Sequence, residues 1–240
     1  MNTDPAYDGY REWKQWDRLF DPQPHESALF AKEFRGITIT GKRWLDIGFG
    51  SGALLGWARS QGASIAGIEI QPGLREAAEA QGIKTFDGLD SVPDASFDIV
   101  TAFDVLEHIS RDKLGTFLEN VCRIATPHAV IVFRVPNCQS PLGLINQFGD
   151  PTHVTMLSGP ILSSLCNQAG MDTIIAREAE EPGSSHRQKK QIIRQIIAPM
   201  QSLLHKTAKL LHRLLWMTGK TPLSKNVIIF ATIKNDESPS

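Results

Sequence analysis

The sequence predicts an α/β domain, a mostly parallel sheet with helices on both faces. Three observations predict it. First, from residue 43 short apolar runs alternate with runs of helical period, the pattern of parallel strands joined by crossover helices. Second, the first apolar run ends in Asp46-Ile47-Gly48-Phe49-Gly50-Ser51-Gly52 and passes directly into a helical pattern at Ala53, Leu54, Leu55, Trp57 and Ala58. Strand, glycine turn and helix set backbone N–H groups and a helix N-terminus against a nucleotide-like ligand. Third, the residues able to do chemistry fall at the carboxyl ends of the apolar runs, where open parallel sheets bind ligands. The chain has 240 residues, enough for a single domain with a full core.

Taken in order, residues 1–35 form a helical cap. Trp13, Trp16, Leu19 and Phe20 lie at helical spacing and predict an amphipathic helix that packs on the domain edge or closes over the ligand. Pro22 and Pro24 end it, and residues 28–34 read as a second short helix. Residues 36–180 form the core. Strands are expected at 43–47, 64–70, 83–86, 97–103 and 129–135, with helices at 53–61, 72–81 and 111–124. Pro72 suits the first turn of its helix, and Gly82 suits the left-handed position just past its end. Pro136-Asn137-Cys138 and Gly149-Asp150-Pro151-Thr152-His153-Val154-Thr155 read as a loop near the mouth of the site. A helix at 159–169 and a strand at 172–177 follow. The apolar run 227–233 is the last strand, ahead of a tail to residue 240.

Between them, residues 181–225 form a basic amphipathic insertion. Ile192, Ile193, Ile196, Ile197, Met200, Leu203 and Leu204 make an apolar stripe, opposite a face carrying Lys189, Lys190, Arg194, Lys206, Lys209 and Arg213. Pro199 kinks or divides the segment. The net charge of −1 hides this asymmetry. After Glu181 there are ten Lys or Arg and two acids, whereas residues 1–181 hold 15 basic and 24 acidic residues.

The composition, 41% hydrophobic and 21% charged, is that of an ordinary globular protein. Cys122, Cys138 and Cys166 are widely spaced with no C-x-x-C. This argues against a disulfide framework and a zinc site, and suits a reducing cytoplasm. The polar N-terminus reads as no signal peptide, and no run of 18 apolar residues would span a membrane.

The motifs narrow the class. The glycine spacing is G-x-G-x-G, and no G-K-[ST] is present to hold a triphosphate. One glycine allows the tight turn, one lets backbone approach the ligand, and one lets the helix pack close to the sheet. Glu69 ends the second run, in Gly67-Ile68-Glu69-Ile70, where a carboxylate can accept both hydroxyls of a ribose. Ser96-Phe97-Asp98-Ile99-Val100 and Phe103-Asp104-Val105-Leu106-Glu107-His108 follow. With these motifs the chain resembles the class I S-adenosylmethionine-dependent methyltransferases over residues 43–171 and near 226–234. It is most similar to the group that includes the ubiquinone-biosynthesis O-methyltransferases. The resemblance implies a Rossmann-like seven-stranded sheet whose last strand lies antiparallel between the fifth and sixth.

It also implies S-adenosylmethionine as cofactor and a set of residues that hold it. Asp46 supports the glycine loop near the cofactor's amino acid end. Gly48, Phe49, Gly50 and Gly52 line the cofactor. Glu69 takes the ribose, with Ile70 beside it. Asp87 accepts the adenine amino group and the backbone at Gly88 contacts the ring. Phe103, Asp104 and Leu106 lie beneath the cofactor at the fourth strand. Oxygen acceptors must lose a proton, and histidine is the usual base near neutral pH. His108, in the position that faces the methyl group, and His153, in D-P-T-H-V, are the two candidates. No metal is expected, because the histidines and carboxylates are not at ligand spacing in the sequence.

The expected activity is O-methylation of a small molecule, a sugar unit or a lipid-linked intermediate. N- or C-methylation on the same fold is the first alternative. A scaffold that has lost catalysis is the second, opposed by the intact Gly48, Gly50, Gly52 and Glu69. Residues 187–220 have two readings of equal standing, a surface for anionic membrane and a lid or dimer contact. Nucleic acid is disfavoured, since the body is acidic and aromatic interleaving is absent apart from Trp216. Oligomeric state is left open by the sequence. The expected location is cytoplasmic, with peripheral membrane contact through the insertion.

Overall fold

The protein is described by a computed structural model covering residues 14, 16, 18–180, 206–207 and 224–234. Seven strands form one sheet: β1 Arg43–Ile47, β2 Ser64–Ile68, β3 Lys84–Phe86, β4 Phe97–Phe103, β5 Ala125–Pro136, β6 Met171–Glu178 and β7 Asn226–Ile233. Their order is β3-β2-β1-β4-β5-β7-β6. β1 to β5 are parallel, and β7 runs antiparallel between β5 and β6. This confirms the expected topology. The chain moves outward from β1 through β2 to β3, then returns to β4 on β1's other side. That reversal opens a crevice above the carboxyl ends of β1 and β4.

The helices are α1 Pro24–Glu33, α2 Ala53–Ser60, α3 Pro72–Ala80, α4 Arg111–Ile124, α5 Pro141–Gly149 and α6 Gly159–Gln168. Strand period sends alternate side chains to opposite faces, and each face has its own core. Leu45 and Val100 join Leu114, Leu118 and Val121 of α4 and Leu162 of α6. Trp44 and Ile99 join Leu55 and Trp57 of α2, Phe34 after α1, and Phe230. Phe34 and Trp44 have ring centroids 4.8 Å apart. In α4, Leu114, Leu118 and Val121 recur at helical spacing and are fully buried, which is why that segment is a helix.

The N-terminal segment differs from expectation. Leu19 and Phe20 lie in a bend, Trp16 is not helical, and Phe20 has φ 58°. Trp13 lies outside the described residues. The aromatic residues there pack on the glycine loop by conformation specific to each, so their spacing is not that of a helix. Pro24 opens α1 at its first turn, where its missing N–H costs nothing, and Gln23 N–H is taken by Glu26 Oε2 at 2.7 Å. A second difference is α5, in the stretch between the two loop motifs after β5. Ser140 caps it, its hydroxyl accepting from Leu142 N–H at 3.2 Å, with Pro141 next. β5 also starts at Ala125, directly from the end of α4. Of the basic insertion, Lys206 and Thr207 are helical and exposed; the remainder of 181–223 lies outside the described residues.

Candidate active site

The glycine loop is held by the two strands beside it. Gly48 and Phe49 N–H groups both donate to Ile68 C=O, at 2.7 and 3.3 Å. Gly50 and Gly52 have φ of 51° and 70°, a region that non-glycine residues avoid. A Cβ on Gly52 would lie 2.2 Å from the Phe20 ring, and one on Gly50 would lie 2.9 Å from Trp16. Close approach at these two glycines is thus made by the N-terminal segment, whose Phe20 N–H also donates to Ser51 C=O at 2.8 Å.

Glu69 is buried at the end of β2. Its Oε2 accepts Gly50 N–H at 2.9 Å and its Oε1 accepts Gln71 N–H at 3.1 Å. Burial pushes its pKa up, opposed by these backbone donors and by Arg75. Each carboxylate oxygen keeps a further lone pair for a ligand hydroxyl. Ile70, beside it, is 50% exposed, an apolar face with no core to enter. Asp87, after β3, lies 3.9 Å from Arg75 Nε and is mostly exposed, and Gly88 is fully extended. A buried carboxylate, an exposed apolar side chain and an exposed second acid stand after the ends of β2 and β3, groups of the chemistry that ribose, an adenine ring and its amino group require. These residues fit S-adenosylmethionine.

Asp46 is buried one strand away. Its Oδ1 accepts the Thr101 hydroxyl at 2.6 Å, and that hydroxyl oxygen accepts the Trp44 indole N–H at 2.9 Å. Parallel pairing of β1 with β4 sets Asp46 opposite Thr101. The partner of Asp46 is therefore a β4 hydroxyl, where support of the glycine loop was expected. Burial pushes its pKa up to about 7, opposed by Thr101 and Arg134. Phe49 and Leu106 are core residues, so only their backbone is available to a cofactor. Phe103 stacks on Phe34 with centroids 6.2 Å apart, and the Arg134 guanidinium sits 4.5 Å above its ring centroid. Asp104 has φ 56° and a two-point ion pair with Arg134.

The second half of the crevice is a cavity of about 370 Å³. It is lined by Lys14, Asp104, Glu107, His108, Asp150 and His153 together with α5 residues including Ile145 and Asn146. A short turn, Leu106–His108, follows β4. Val154 and Thr155 N–H groups both donate to Glu107 C=O, at 2.9 and 3.0 Å, and the Thr155 hydroxyl donates to Ile109 C=O at 2.6 Å. These bonds tie the loop after α5 to the turn after β4. His108 and His153 are thereby brought together, ring centroids 4.6 Å apart and edge to face.

Each imidazole has its Nδ1 engaged. His153 Nδ1 is 3.1 Å from Gln147 C=O, which can only accept, so Nδ1 carries a proton. The Thr152 hydroxyl donates to Asp150 Oδ1 at 2.5 Å and lies 2.9 Å from His108 Nδ1. With its one proton committed to Asp150, it accepts from His108 Nδ1–H. Burial and the neighbouring His153 push the His108 pKa down, so it is neutral near pH 7. Asp150 is held further by Lys14 Nζ at 3.0 Å. Glu107 is fully buried, and burial, with Asp104 and Asp150 adding, pushes its pKa well up. Glu107, Asp150, Thr152 and Lys14 were missed as site residues. Glu107 adjoins His108, and Asp150 and Thr152 share the D-P-T-H run with His153. Lys14 has no local signal.

Comparison with known proteins agrees with this geometry. A family profile described as "Methyltransferase domain" matches residues 18–175. The chain belongs to this methyltransferase family, and its fold is shared with solved S-adenosylmethionine-dependent methyltransferases. The ubiquinone biosynthesis O-methyltransferase of Hahella chejuensis (strain KCTC 2396) is 28% identical over 135 residues, 51% of this chain and 56% of that protein. The chain thus matches about half the length of that relative. An S-adenosylmethionine-dependent methyltransferase from Archaeoglobus fulgidus has TM-score 0.62 at 21% identity, covering 94% of this chain and 99% of that one. The 1,6-didemethyltoxoflavin-N1-methyltransferase of Burkholderia thailandensis, with S-adenosylhomocysteine bound, has TM-score 0.57 at 15% identity, covering 96% and 84%. At these identities the solved structures speak to the fold.

Proposed function

We propose that this methyltransferase methylates a hydroxyl oxygen of a small molecule that carries an apolar portion, with the acceptor seated in the cavity beside His108 and His153. The observation that carries the reading is the histidine pair in the cavity, each ring held in orientation through its Nδ1. An amine acceptor does not need two imidazoles beside it, whereas a hydroxyl must shed its proton as the new bond forms. Similarity to an O-methyltransferase points the same way.

Bound S-adenosylmethionine supplies a methyl group on a sulfonium, activated for in-line displacement. The protein's part is placement. Glu69 and the glycine loop fix one reactant, and the cavity above the β4 and β5 ends fixes the other, so that an otherwise bimolecular step becomes local. A lone-pair nitrogen of the pair receives the acceptor's proton, while Asp150, through Thr152, keeps His108 oriented. Ile145 lines the cavity, and Ile145, Phe148, Val154 and Met156 are all exposed on α5 and the loop that follows. That apolar rim suits an acceptor with a lipid-like portion, and a lipid-linked acceptor fits it better than a free sugar.

The test is His153→Gln assayed against a panel of phenols and lipid-linked alcohols. Turnover is expected to fall by about 10²–10⁴ while cofactor affinity holds. Equal turnover in the variant would remove the histidine pair from the reaction. Methyl transfer to amines alone would replace the oxygen acceptor with nitrogen.

A further inference from the structure

We propose that Glu107, His108 and His153 form a site for a divalent transition-series cation, of the Zn²⁺ or Mn²⁺ kind, at the floor of the acceptor cavity. One candidate ligand atom from each residue lies within 4.8 Å of the other two. The expectation of no metal rested on distance along the chain. The hydrogen bonds from Val154 and Thr155 to Glu107 C=O bring His153 to Glu107 and His108 despite that distance.

A second observation stands apart from the clustering. Both carboxylate oxygens of Glu107 are buried and have no hydrogen-bond partner among the described residues, and Glu107 lines the cavity. Buried polar groups in folded proteins are nearly always satisfied, and a buried orphan points to a missing proton donor, water or ion. The other two cavity carboxylates are already engaged. Asp150 meets Lys14 and Thr152, and Asp104 meets Arg134. Glu107 is the one of the three with no hydrogen-bond partner among the described residues.

The histidines are prepared as ligands. Metal-bound imidazoles normally place their other ring nitrogen on a carbonyl or carboxylate, which fixes tautomer and direction. His153 Nδ1 is on the Gln147 carbonyl, and His108 Nδ1 reaches the Asp150 carboxylate through the Thr152 hydroxyl. His153 Nε2 then faces Glu107 Oε1 at 3.8 Å and Asp150 Oδ2 at 3.9 Å. Two ligands on a shared ion stand about 3.0–3.4 Å apart, so binding requires the three side chains to draw together by up to about 1.5 Å. Two imidazoles and one carboxylate suit zinc, manganese or cobalt rather than the all-oxygen preference of magnesium or calcium. Three protein ligands leave a position open toward the cavity, the arrangement of a reactive rather than a closed structural site.

This inference rests on the acceptor-cavity reading and changes one part of it. A hydroxyl bound to such an ion is acidified and releases its proton to water, so the imidazoles serve as ligands rather than as the direct base.

The experiment uses the full chain without an affinity tag, stripped of metal and titrated calorimetrically with Zn²⁺ and Mn²⁺. Glu107→Gln and His153→Gln are titrated alongside, and S-adenosylhomocysteine reads the cofactor site of every sample. The expected result is one ion per chain, weakened roughly tenfold or more in each variant, with unchanged S-adenosylhomocysteine affinity. The d–d absorption of bound Co²⁺ gives a second reading and should lose intensity in His153→Gln. No ion taken up by a chain that still binds S-adenosylhomocysteine overturns the cation site and leaves the direct histidine base standing. Ion binding that both substitutions leave unaltered overturns it as well.

Discussion

On the β1–β2 side of the crevice, Glu69 meets the N–H groups of Gly50 and Gln71, and Asp46 meets Thr101. On the β4–β5 side, Glu107 has no hydrogen-bond partner among the described residues for either carboxylate oxygen, and two imidazoles stand edge to face. The first side is a satisfied frame, set before any ligand arrives. The second holds a buried carboxyl with no hydrogen-bond partner among the described residues. Such groups are costly in a buried setting, and they persist where a substrate, ion or proton completes them. The difference separates a region that positions from a region that reacts.

The largest expected effect probes the frame. Burial pushes the Asp46 carboxyl up to about 7 from the ordinary 3.8 of an aspartate. Between those values the native state keeps a proton that the unfolded chain has released, so stability falls as pH rises from about 4 to about 7 and then levels off. The shift corresponds to a loss on the order of 4 kcal/mol. Asp46→Asn should flatten that slope in denaturant unfolding at about pH 5 and about pH 8. An unchanged slope would assign it to Glu69 or Glu107, whose pKa values burial also raises.

Next is Glu69→Ala. It removes a charged acceptor from the ribose and from Gly50 N–H, and S-adenosylmethionine affinity should fall at least tenfold, about 1.5–3 kcal/mol. Unaltered affinity in calorimetry would mean that the frame is not the cofactor side. Gly52→Ala places a Cβ against Phe20 on left-handed backbone, and should cost about 2 kcal/mol of stability in urea unfolding. No loss would show that the N-terminal segment moves aside freely. The smallest effect is Lys14→Met. Its half-exposed ammonium bonds Asp150, and its loss should change stability by under about 1 kcal/mol. A larger change would make the frame and the reactive side one cooperative unit.

Much of the frame could be read from residues in a row. Arg43–Ile47, Phe97–Phe103 and Arg111–Ile124 form the elements their periodicity predicts, bound for bound. Those segments are long or flanked by clear stops, and their burial is set by their own pattern. Phe20 and Trp16 misled for the opposite reason. Aromatic residues at helical spacing read as a helix, but their conformation is set by glycines some thirty residues downstream. α5 was hidden in a stretch between motifs rich in Pro and Gly, although Ser140-Pro141 is itself a helix start.

The sequence by itself determined the sheet, the glycine loop, Glu69 and the class of chemistry, because each depends on side chains close along the chain acting through period, turn and cap. Only the tertiary structure decided the reactive cluster. Lys14, Glu107, His108, Asp150 and His153 come from the N-terminal segment, the turn after β4 and the loop after α5. Backbone bonds from Val154 and Thr155 to Glu107 set their meeting. A contact made by backbone hydrogen bonds between distant loops leaves no signature in residue identity, since every residue but proline carries the same donor and acceptor.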